Sequence, residues 1–367
     1  MDMNIKITLV ENDKKKQRKY KESQLGFGKY FSDHMFIMEY NKNRAWHNAR
    51  IIPYQPLVLD PAALNFHYGQ TIFEGLKAYR GKDDGIYLFR PRDNIKRMNN
   101  SAKRLCMAQV DDDFVVKAIK KLVLIEKDWI PRSHGTALYI RPTMIASEPA
   151  LGVRASSEYI FYVIVGPVGS YYPEGMNPIK IYVSDKFVRA VKGGMGEAKA
   201  GGNYAASLYA AEEASKKGYS QVLWLDAISR KYVEEVGAMN IFFYFEDTLV
   251  TPSLSGSILP GITRDSVIRI AREWGIKVEE RMLEIDEVIE GTQKGTLKEV
   301  FGSGTAAIIS PVGELYYKGN SYTVNKREIG TLTKRLYDEI MGYQYGEKKE
   351  PYGWVERIDV DTADARY

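Results

Sequence analysis

A segment near the middle of the chain limits the possible folds more than any other feature of the sequence. Residues 166–178 include three prolines and three glycines, and neither residue type suits the interior of a helix or a strand. Domain boundaries commonly fall in such segments, and 367 residues are enough for two hydrophobic cores. We therefore predict a smaller α/β domain at 27–165, a linker at 166–178 and a larger domain at 179–345. An N-terminal arm at 1–26 and a C-terminal tail at 346–367 complete the chain.

The hydrophobic pattern predicts both helices and strands, so the predicted fold class is mixed α/β with α+β character. Runs of aromatic and β-branched residues indicate strands at 27–40, 136–145 and 158–165. Apolar residues at helical spacing indicate helices at 93–107 and 263–274. The arm is polar, as is the chain from Gly342 onward, and both are expected to have little fixed structure.

The charge balance argues against a nucleic-acid partner. The chain has 52 basic and 47 acidic residues, a net charge of +5. The basic run Lys14–Lys19 could contact a polyanion, but no base-reading module accompanies it, so we interpret it as a solvated segment. No apolar run is long enough to cross a bilayer, and the N-terminus lacks the apolar core of a signal peptide. These features predict a cytoplasmic protein with no nucleic-acid and no membrane partner.

The cysteine and histidine content argues against disulfide and metal chemistry. Cys106 is the only cysteine, so no intramolecular disulfide can form. Its helical spacing from Met98 and Ala102 predicts a small residue of the core. The four histidines are scattered without the spacing of metal ligands, so no metal site is predicted.

A lysine among small residues is the first candidate for chemistry. Lys199 lies in the stretch Glu197–Tyr204, and two glycines follow it closely. Glycine lets backbone approach a ligand, and a crowded, partly dry site weakens the preference of an amine for its charged form. A neutral amine can attack a carbonyl, as a lysine that binds an aldehyde covalently must do. The alternative is a surface lysine in a flexible turn.

An acidic pair follows in a predicted strand. The carboxylate of Glu235 could keep a pyridine nitrogen protonated through a charge-assisted hydrogen bond. Glu234 is its rival for this role. Adjacent strand residues face opposite ways, so only one of the two can point into a site.

Two glycine-containing motifs could bind a phosphate. Ile262 and Thr263 begin a predicted helix, whose free N–H groups attract anions, and Thr305 follows Gly304 in a second motif. Arg90, at a strand end before a helix, could hold an anion or form a surface ion pair. Each glycine motif alone could also be a tight turn. Together, an amine, an acid and two anion cradles are the parts of a pyridoxal phosphate site.

One predicted strand carries a candidate substrate-binding pair. Tyr139 and Arg141 lie on the same face of that strand, because strand side chains alternate. They could receive a carboxylate or form an exposed polar face. Phe27 could belong to the core or to a pocket wall.

Nine motifs in unbroken order over residues 25–345 give the chain a specific resemblance. It resembles the branched-chain amino-acid aminotransferases of the fold-type IV class of pyridoxal phosphate enzymes. The matching motifs are Phe27-Gly-Lys, Phe73-Glu-Gly, Leu88–Pro91, Tyr139–Pro142, Glu148–Val153, Lys199–Tyr204, Glu235–Asn240, Leu259–Arg264 and Gly302–Ala306.

The resemblance implies a two-domain fold with pyridoxal 5'-phosphate between the domains, and a role for each matching residue. Lys199 is the implied catalytic residue and the covalent attachment point, Tyr204 the partner of the ring hydroxyl, and Glu235 the partner of the pyridine nitrogen. The implied phosphate ligands are Arg90, Ile262, Thr263 and Thr305. The implied substrate-binding residues are Phe27, Tyr68, Phe73, Tyr139, Arg141, Val153, Tyr171, Ala238, Thr305 and Ala306. Because the family's loop at Val153 enters the neighbouring subunit, a homodimer is also implied.

The chain departs from the family pattern at two places. Eukaryotic members often carry a Cys-x-x-Cys pair where this chain has Ala307 and Ser310, so a thiol switch at that position is excluded. Ala238 stands where some members have a threonine, which affects how the carboxylate end of the substrate is held.

The activity implied by the resemblance is transamination. L-Leucine, L-isoleucine or L-valine would react with 2-oxoglutarate to give a branched 2-oxo acid and L-glutamate. This reversible reaction ends branched-chain amino-acid biosynthesis or begins degradation. The alternatives are another fold-type IV enzyme, namely a D-amino-acid aminotransferase or an aminodeoxychorismate lyase, and a cofactor-free binding protein on the same fold.

Overall fold

The computed structural model describes residues 3–172 and 174–358. Its residues form two compact units. The first unit comprises the described residues up to Tyr171, the short segment Ala198–Gly201 and the described residues from Gly342 onward. The second comprises those from Tyr172 to Glu197 and Gly202–Met341. The domain boundaries predicted above, including the linker, remain a prediction.

The first unit is built mainly from strands, with two long helices. Its elements up to the end of the large sheet are β1 (Lys6–Ile7), β2 (His34–Asn41), β3 (Ala45–Pro53), α1 (Leu64–Tyr68), β4 (Thr71–Phe73), β5 (Leu76–Arg80), β6 (Ile86–Phe89), α2 (Pro91–Arg104), α3 (Asp112–Ile125), β7 (Ala137–Ala146) and β8 (Glu158–Val168). The strands pair in the order β1-β3-β2-β8-β7-β5-β6, and β4 pairs with β7.

Side chains along the strands alternate between a buried face, which belongs to the core, and a partly buried face. On β7, Leu138 and Ile140 are buried in the core, whereas Tyr139 and Arg141 are only partly buried. The core also contains Met98 of α2 and residues of α3, whose N-terminus is capped by the Asp111 carboxylate at 2.8 Å from the Phe114 N–H. The predicted shared face of Tyr139 and Arg141 is confirmed, since the Arg141 guanidinium donates to the Tyr139 hydroxyl at 2.8 Å.

The first predicted strand begins later than the sequence indicated. Strand β2 starts at His34, and the chain from 27 to 33 is not a strand. Gly28 has a φ of +70°, a left-handed conformation that extended strands do not contain. The aromatic composition of this stretch predicted a strand because composition does not reveal where the backbone bends.

The N-terminal arm is more ordered than predicted. Strand β1 pairs in parallel with β3, the Val10 N–H donates to His34 Nε2 at 2.8 Å, and the Lys16 N–H donates to Asp33 Oδ1 at 2.7 Å. The polar composition of the arm concealed these partners because they lie far along the chain. Residues 1–2 lie outside the described residues.

Cys106 is not the core residue that its spacing predicted. Helix α2 ends at Arg104, so Cys106 falls beyond the helix, where it has a φ of +55°. Its side chain is exposed. The helical spacing that predicted burial does not continue past the end of the helix.

The second unit alternates strands and helices more regularly. Its elements are β9 (Ile179–Ser184), α4 (Gly201–Lys216), β10 (Gln221–Leu225), β11 (Val233–Val236), β12 (Asn240–Phe245), β13 (Thr248–Pro252), α5 (Ile262–Glu273), β14 (Lys277–Arg281), α6 (Ile285–Lys294), β15 (Leu297–Gly304), β16 (Ile308–Tyr317), β17 (Asn320–Thr323) and α7 (Thr331–Gln344). The sheet order is β11-β10-β9-β16-β15-β12-β13-β14, with β17 paired to β16. Strand β9 lies parallel to both neighbours, while β12 and β15 are antiparallel.

The C-terminal segment is also more ordered than its polar composition predicted. Strand β18 (Val355–Ile358) pairs antiparallel with β6 and extends the first sheet. Tyr343, Tyr345 and Trp354 are buried. The edge of β6 supplies unpaired backbone groups that a late segment of the chain can satisfy. The last part of the predicted tail, 359–367, lies outside the described residues.

A buried carboxylate caps the last helix of the second unit. Glu299 on β15 accepts the Leu332 N–H at 3.0 Å and both the N–H and the hydroxyl of Thr333, at 2.8 and 2.7 Å. A Cβ on Gly330 would lie 2.0 Å from the Glu299 carboxyl carbon, so only glycine leaves room for the contact. The cap satisfies free donors at the N-terminus of α7 and places a negative charge there.

Replacing Glu299 with alanine should lower the free energy of unfolding by about 2 to 4 kcal/mol, because buried donors lose their acceptor and the helix its charge. Chemical denaturation of both proteins measures the difference. Glu328→Ala is the matched control, since Glu328 is an exposed acid just before the same helix. An equal loss of unfolding free energy in both variants would contradict the capping role of Glu299.

Within the described ranges, no helix is long and apolar enough to cross a membrane.

Candidate active site

Two elements of the first unit hold the backbone of Lys199. Its N–H donates to the Ser101 hydroxyl of α2 at 2.9 Å, and its carbonyl accepts the Phe73 N–H at 3.0 Å. The next residue, Ala200, forms a bridge with Ile72 of β4. The Lys199 amine lies 4.9 Å from the centre of the Phe73 ring. Lys199 is therefore fixed in a partly buried position and does not lie in a free surface turn.

One arginine of the same unit packs against a cluster of aromatic side chains. The Arg141 guanidinium lies over the rings of Phe73 and Tyr139, at 4.7 and 5.1 Å. Phe27 packs edge-on against Tyr139 at 4.8 Å and against Tyr171 at 5.1 Å. The structure thus brings together five of the predicted substrate-binding residues. Cation and aromatic rings stabilise one another at such distances, and the cluster offers both an apolar wall and a positive charge.

Tyr68 and Val153 lie on an exposed part of the first unit. The Tyr68 hydroxyl donates to the carbonyl of Leu151, which connects α1 to the loop after β7. Val153 is 84% exposed, Leu151 67% and Phe66 58%. Scattered apolar residues on a surface are normal, but neighbouring ones form a surface that a partner can cover.

Arg90 is buried at the start of α2. Its backbone has a φ of +51°, and its N–H donates to the Trp354 carbonyl at 2.7 Å. Its guanidinium donates to Asp93 at 2.7 Å and lies 4.8 Å from the Trp354 ring centre. The ion pair considered from the sequence therefore forms, with Asp93, but its arginine is buried and not at the surface.

In the second unit, Glu235 on β11 is held by two side chains. The Arg189 guanidinium lies 2.5 Å from Glu235 Oε2, and the Asn240 amide donates to Glu235 Oε1 at 3.1 Å. Both members of the ion pair are almost fully buried. A buried carboxylate with a cationic and an amide partner keeps a fixed orientation.

The neighbouring acid, Glu234, has a different partner. The Ser257 hydroxyl donates to Glu234 Oε1, while Oε2 has no hydrogen-bond partner among the described residues. Burial raises the pKa of the Glu234 carboxyl, opposed by the hydrogen bond from Ser257. The two acids therefore have distinct environments, as the alternation of strand side chains predicts.

The N-terminus of α5 is tied to Glu235 through Asn240. The Asn240 amide also donates to the Leu259 carbonyl at 2.9 Å. A Cβ on Gly261 would lie 1.9 Å from Asn240 Oδ1, so glycine is required for this contact. Ile262 and Thr263 follow directly in the first turn of α5, and both are buried. The acid and the helix N-terminus are thereby fixed to one another.

The remaining predicted residues lie in turns of the second unit and at the start of α4. Thr305 and Ala306 form the turn between β15 and β16, and Ser303 at its edge pairs in register with Asn240. Ala238 is exposed in the turn between β11 and β12. Tyr204 is half-buried in the first turns of α4. The register between β12 and β15 therefore brings the Thr305 turn to the end of the sheet at which Asn240 lies.

Three residues of these sites were not anticipated from the sequence. Arg189 and Asn240 hold Glu235, and Lys77 pairs in register with Tyr139 across β5 and β7. Burial lowers the pKa of the Lys77 amine to about 7. Arg189 lies in a segment with no periodic pattern, so its only signal was the expectation that a buried acid has a cationic partner. Lys77 lies between two apolar residues in the short strand β5, where the rarity of buried lysine was the available signal.

Comparisons with known proteins identify the class and then the family. The family model described as amino-transferase class IV matches residues 71–315, in accord with the mixed two-sheet fold and the fixed lysine. Branched-chain-amino-acid aminotransferase 2 of Bacillus subtilis (strain 168) is 54% identical over 349 residues, which cover 95% of this chain and 96% of that protein. The chain therefore belongs to the branched-chain-amino-acid aminotransferase family of class IV.

Solved structures show the same fold. A branched-chain amino acid aminotransferase of Escherichia coli superposes with a TM-score of 0.75 at 28% identity, covering 89% of this chain and 99% of that one. A T.th. branched-chain amino acid aminotransferase complexed with N-(5'-phosphopyridoxyl)-L-glutamate gives a TM-score of 0.71 at 29% identity, covering 88% and 98%. The predicted fold class and family are thus confirmed.

Proposed function

We propose that this chain transfers amino groups between L-leucine, L-isoleucine or L-valine and 2-oxoglutarate, with pyridoxal 5'-phosphate as cofactor. The observation that carries the proposal is the 54% identity, over nearly the whole length of both chains, to an enzyme named for this substrate class. The phosphopyridoxyl-glutamate complex of the T.th. enzyme supports the cofactor and the glutamate product.

The residues of the second unit suit the ring and phosphate of this cofactor. The Glu235 carboxylate, fixed by Arg189 and Asn240, would accept a hydrogen bond from the pyridine nitrogen. The N–H groups of Ile262 and Thr263 at the start of α5 would bind the phosphate, as helix N-termini bind anions. The Ser303 hydroxyl, buried without a partner among the described residues beside the Thr305 turn, is a further polar atom available there.

In the first unit, Lys199 and Arg90 would hold the cofactor. Lys199 would bind it covalently through Nζ, and the buried Arg90 would contribute charge to the phosphate. Tyr204, at the start of α4, would donate to the ring hydroxyl. These are the roles that the family resemblance implies, and the fixed backbone of Lys199 supports the first of them.

The chemistry divides between the cofactor and the protein. When bound, the cofactor supplies an electron sink for the bond broken at the substrate Cα. The amino group of the donor would displace Lys199 from the cofactor. The freed Lys199 Nζ would then take the Cα proton and later return a proton, acting first as a base and then as an acid. Glu235 would stabilise positive charge at the pyridine nitrogen throughout. The aromatic cluster would exclude water from the amine during these transfers.

The substrate pocket must accept both an apolar branched side chain and the second carboxylate of 2-oxoglutarate. Phe27, Phe73 and Tyr171 would contact the branched side chain. Arg141 and the Tyr139 hydroxyl, 2.8 Å apart, would bind the carboxylate. The family resemblance also implies a substrate-binding role for Ala238, Thr305 and Ala306 of the second unit.

A panel of amino donors with 2-oxoglutarate tests the proposal. L-Leucine, L-isoleucine and L-valine should each yield glutamate, while D-alanine should yield none and aminodeoxychorismate should not be cleaved. Glutamate formed only from D-alanine would favour a D-amino-acid aminotransferase. A colourless purified protein that takes up no pyridoxal phosphate would instead favour a binding protein.

Gly261→Ala should weaken cofactor binding about tenfold or more, because an overpacked site costs about 1 to 3 kcal/mol. The new methyl group would displace Asn240 from Glu235 and from Leu259. Equilibrium dialysis of the cofactor measures the affinity. Arg269→Ala, an exposed change on the same helix, should leave it unchanged. Wild-type affinity in Gly261→Ala would contradict the coupling through Asn240.

We further propose that two copies associate through the exposed surface formed by Phe66, Tyr68, Leu151 and Val153. A second copy would bury these apolar side chains, and the family resemblance implies that the Val153 loop enters the neighbouring subunit's site. Light scattering after size-exclusion chromatography should give the mass of a dimer, and Val153→Asp should shift it toward the monomer. A monomeric wild-type protein would refute the proposal. The cytoplasmic location remains a prediction from the sequence.

A further inference from the structure

A closed ring of contacts in the first unit includes Lys199. Its members are Phe73, Glu74, Arg97, Ser101 and Lys199, and we call it the Lys199 ring. Phe73 donates its N–H to the Lys199 carbonyl, and the Lys199 N–H donates to the Ser101 hydroxyl. Ser101 in turn donates to the Arg97 carbonyl at 3.1 Å, and Arg97 binds Glu74. Because Glu74 is covalently joined to Phe73, the contacts return to their starting point.

The charged pair of the ring is joined by two parallel hydrogen bonds between side chains. Arg97 Nε donates to Glu74 Oε1 at 2.7 Å, and Nη2 donates to Oε2 at 2.9 Å. Glu74 is fully buried, and Arg97 is 7% exposed. Two parallel bonds between planar groups fix both distance and orientation, which a single bond does not.

Stability alone is a weak reason for such a pair. Removing two charges from water costs about as much as their attraction returns, and an apolar pair of similar size often stabilises a fold equally well. What the pair supplies is a defined geometry between α2 and the chain at 73–74. Those are the two elements that hold the N–H and the carbonyl of Lys199.

Ser101 transmits this geometry to the lysine. It lies one turn after Arg97 on the same face of α2. Its hydroxyl proton is directed to the Arg97 carbonyl, so an oxygen lone pair is left for the Lys199 N–H. Any shift of α2 relative to Phe73 would therefore move the Lys199 backbone and, with it, the amine that lies over the Phe73 ring.

We propose that the Glu74–Arg97 pair is a positioning device for the Lys199 amine, acting through Ser101 and Phe73. The inference rests on the proposed function, in which Lys199 Nζ moves the substrate proton. A displacement of about 1 Å at a reacting group can lower a rate about 100-fold, so the orientation of the pair bears on catalysis more than on folding.

The test compares three variants, and a fourth that combines the first two of them, with the wild-type holoenzyme. Glu74→Leu with Arg97→Met replaces the pair by apolar side chains, and Ser101→Ala removes the acceptor of the Lys199 N–H. Glu126→Gln is the matched control, because Glu126 is also a buried acid of the first unit, paired with His34 at 2.5 Å. Three measurements are made on each protein. They are kcat and KM for L-leucine, the melting temperature without cofactor, and the rate of acetylation of Lys199 in the cofactor-free protein by mass spectrometry.

The double variant and Ser101→Ala should each lower kcat about 10- to 100-fold with little change in KM. Both should also change the acetylation rate of Lys199, and Glu126→Gln should change neither. Combining Ser101→Ala with the double variant should add little further loss, because all three changes open the same ring. If the double variant does not fold, Ser101→Ala alone decides the outcome.

Wild-type kcat and acetylation rate in a folded double variant, or in Ser101→Ala, would overturn the proposal. A loss of kcat that follows the melting temperature, and that Glu126→Gln shares, would also overturn it. A failure of the proposed function can be distinguished from a failure of this proposal. In that case the wild-type protein transfers no amino group, while the acetylation of Lys199 still reports whether the ring positions the amine.

Discussion

Replacing Lys199 with alanine should lower kcat by about 10⁴-fold or more, because the variant loses both the covalent attachment of the cofactor and the base that moves the Cα proton. The visible absorbance of the bound cofactor should change as the covalent link is lost. The backbone contacts of Lys199 with Ser101 and Phe73 do not involve its side chain. The melting temperature of the cofactor-free variant should therefore stay near that of the wild-type protein.

Two comparisons make this result specific. Lys103→Ala changes an exposed lysine on α2, the helix that carries Ser101, and it should retain full activity. Lys77 is the competing lysine, because burial lowers its pKa to about 7 and it pairs in register with Tyr139. Borohydride reduction followed by peptide mapping should label Lys199. Label on Lys77, or normal turnover of Lys199→Ala, would contradict the assignment.

Replacing Glu235 with glutamine should lower kcat about 100- to 1,000-fold, because a preorganised charge that stabilises the reaction is removed. Glutamine keeps the shape of the side chain but cannot hold a proton on the pyridine nitrogen. The change also leaves the buried Arg189 without its anionic partner, which is costly in a dry site. Steady-state kinetics with L-leucine and 2-oxoglutarate measure the loss.

Glu234→Gln is the matched control for Glu235, since the two acids are adjacent on β11 and both are buried. Glu234 contacts Ser257, and its loss should have a much smaller effect on kcat. A larger effect of Glu234→Gln than of Glu235→Gln would reverse the assignment. Arg189→Met should also lower kcat, as Glu235→Gln does, because it removes the cation that holds the Glu235 carboxylate.

Local patterns in the sequence were sufficient for much of the secondary structure. The predicted helix at 263–274 corresponds to α5 at Ile262–Glu273, and the predicted strand at 136–145 to β7 at Ala137–Ala146. The shared face of Tyr139 and Arg141 was predictable for the same reason. Side-chain direction in a strand or helix repeats over two to four residues, so the information lies in the immediate neighbours.

Chemically distinctive residues were also recognisable from the sequence. An acid, a lysine beside glycines and two glycine-containing turns are uncommon in combination, and their order along the chain indicated the family. This reasoning led to Lys199 and to the acidic pair Glu234 and Glu235, but not to what holds them. It could not choose between Glu235 and Glu234. The alternation of strand side chains shows only that the two face opposite ways, and not which of them faces the site.

What holds these residues was decided by the tertiary structure. Ser101 lies 98 residues from Lys199, and Arg189 lies far from Glu235 in sequence. The paired strand at Val355–Ile358 and the bound arm near His34 were missed for the same reason. Each depends on a partner distant along the chain, and hydrogen bonds and buried charges at that separation leave no local pattern. The sequence therefore determined the elements and the reactive groups, while long-range packing determined how the reactive groups are oriented.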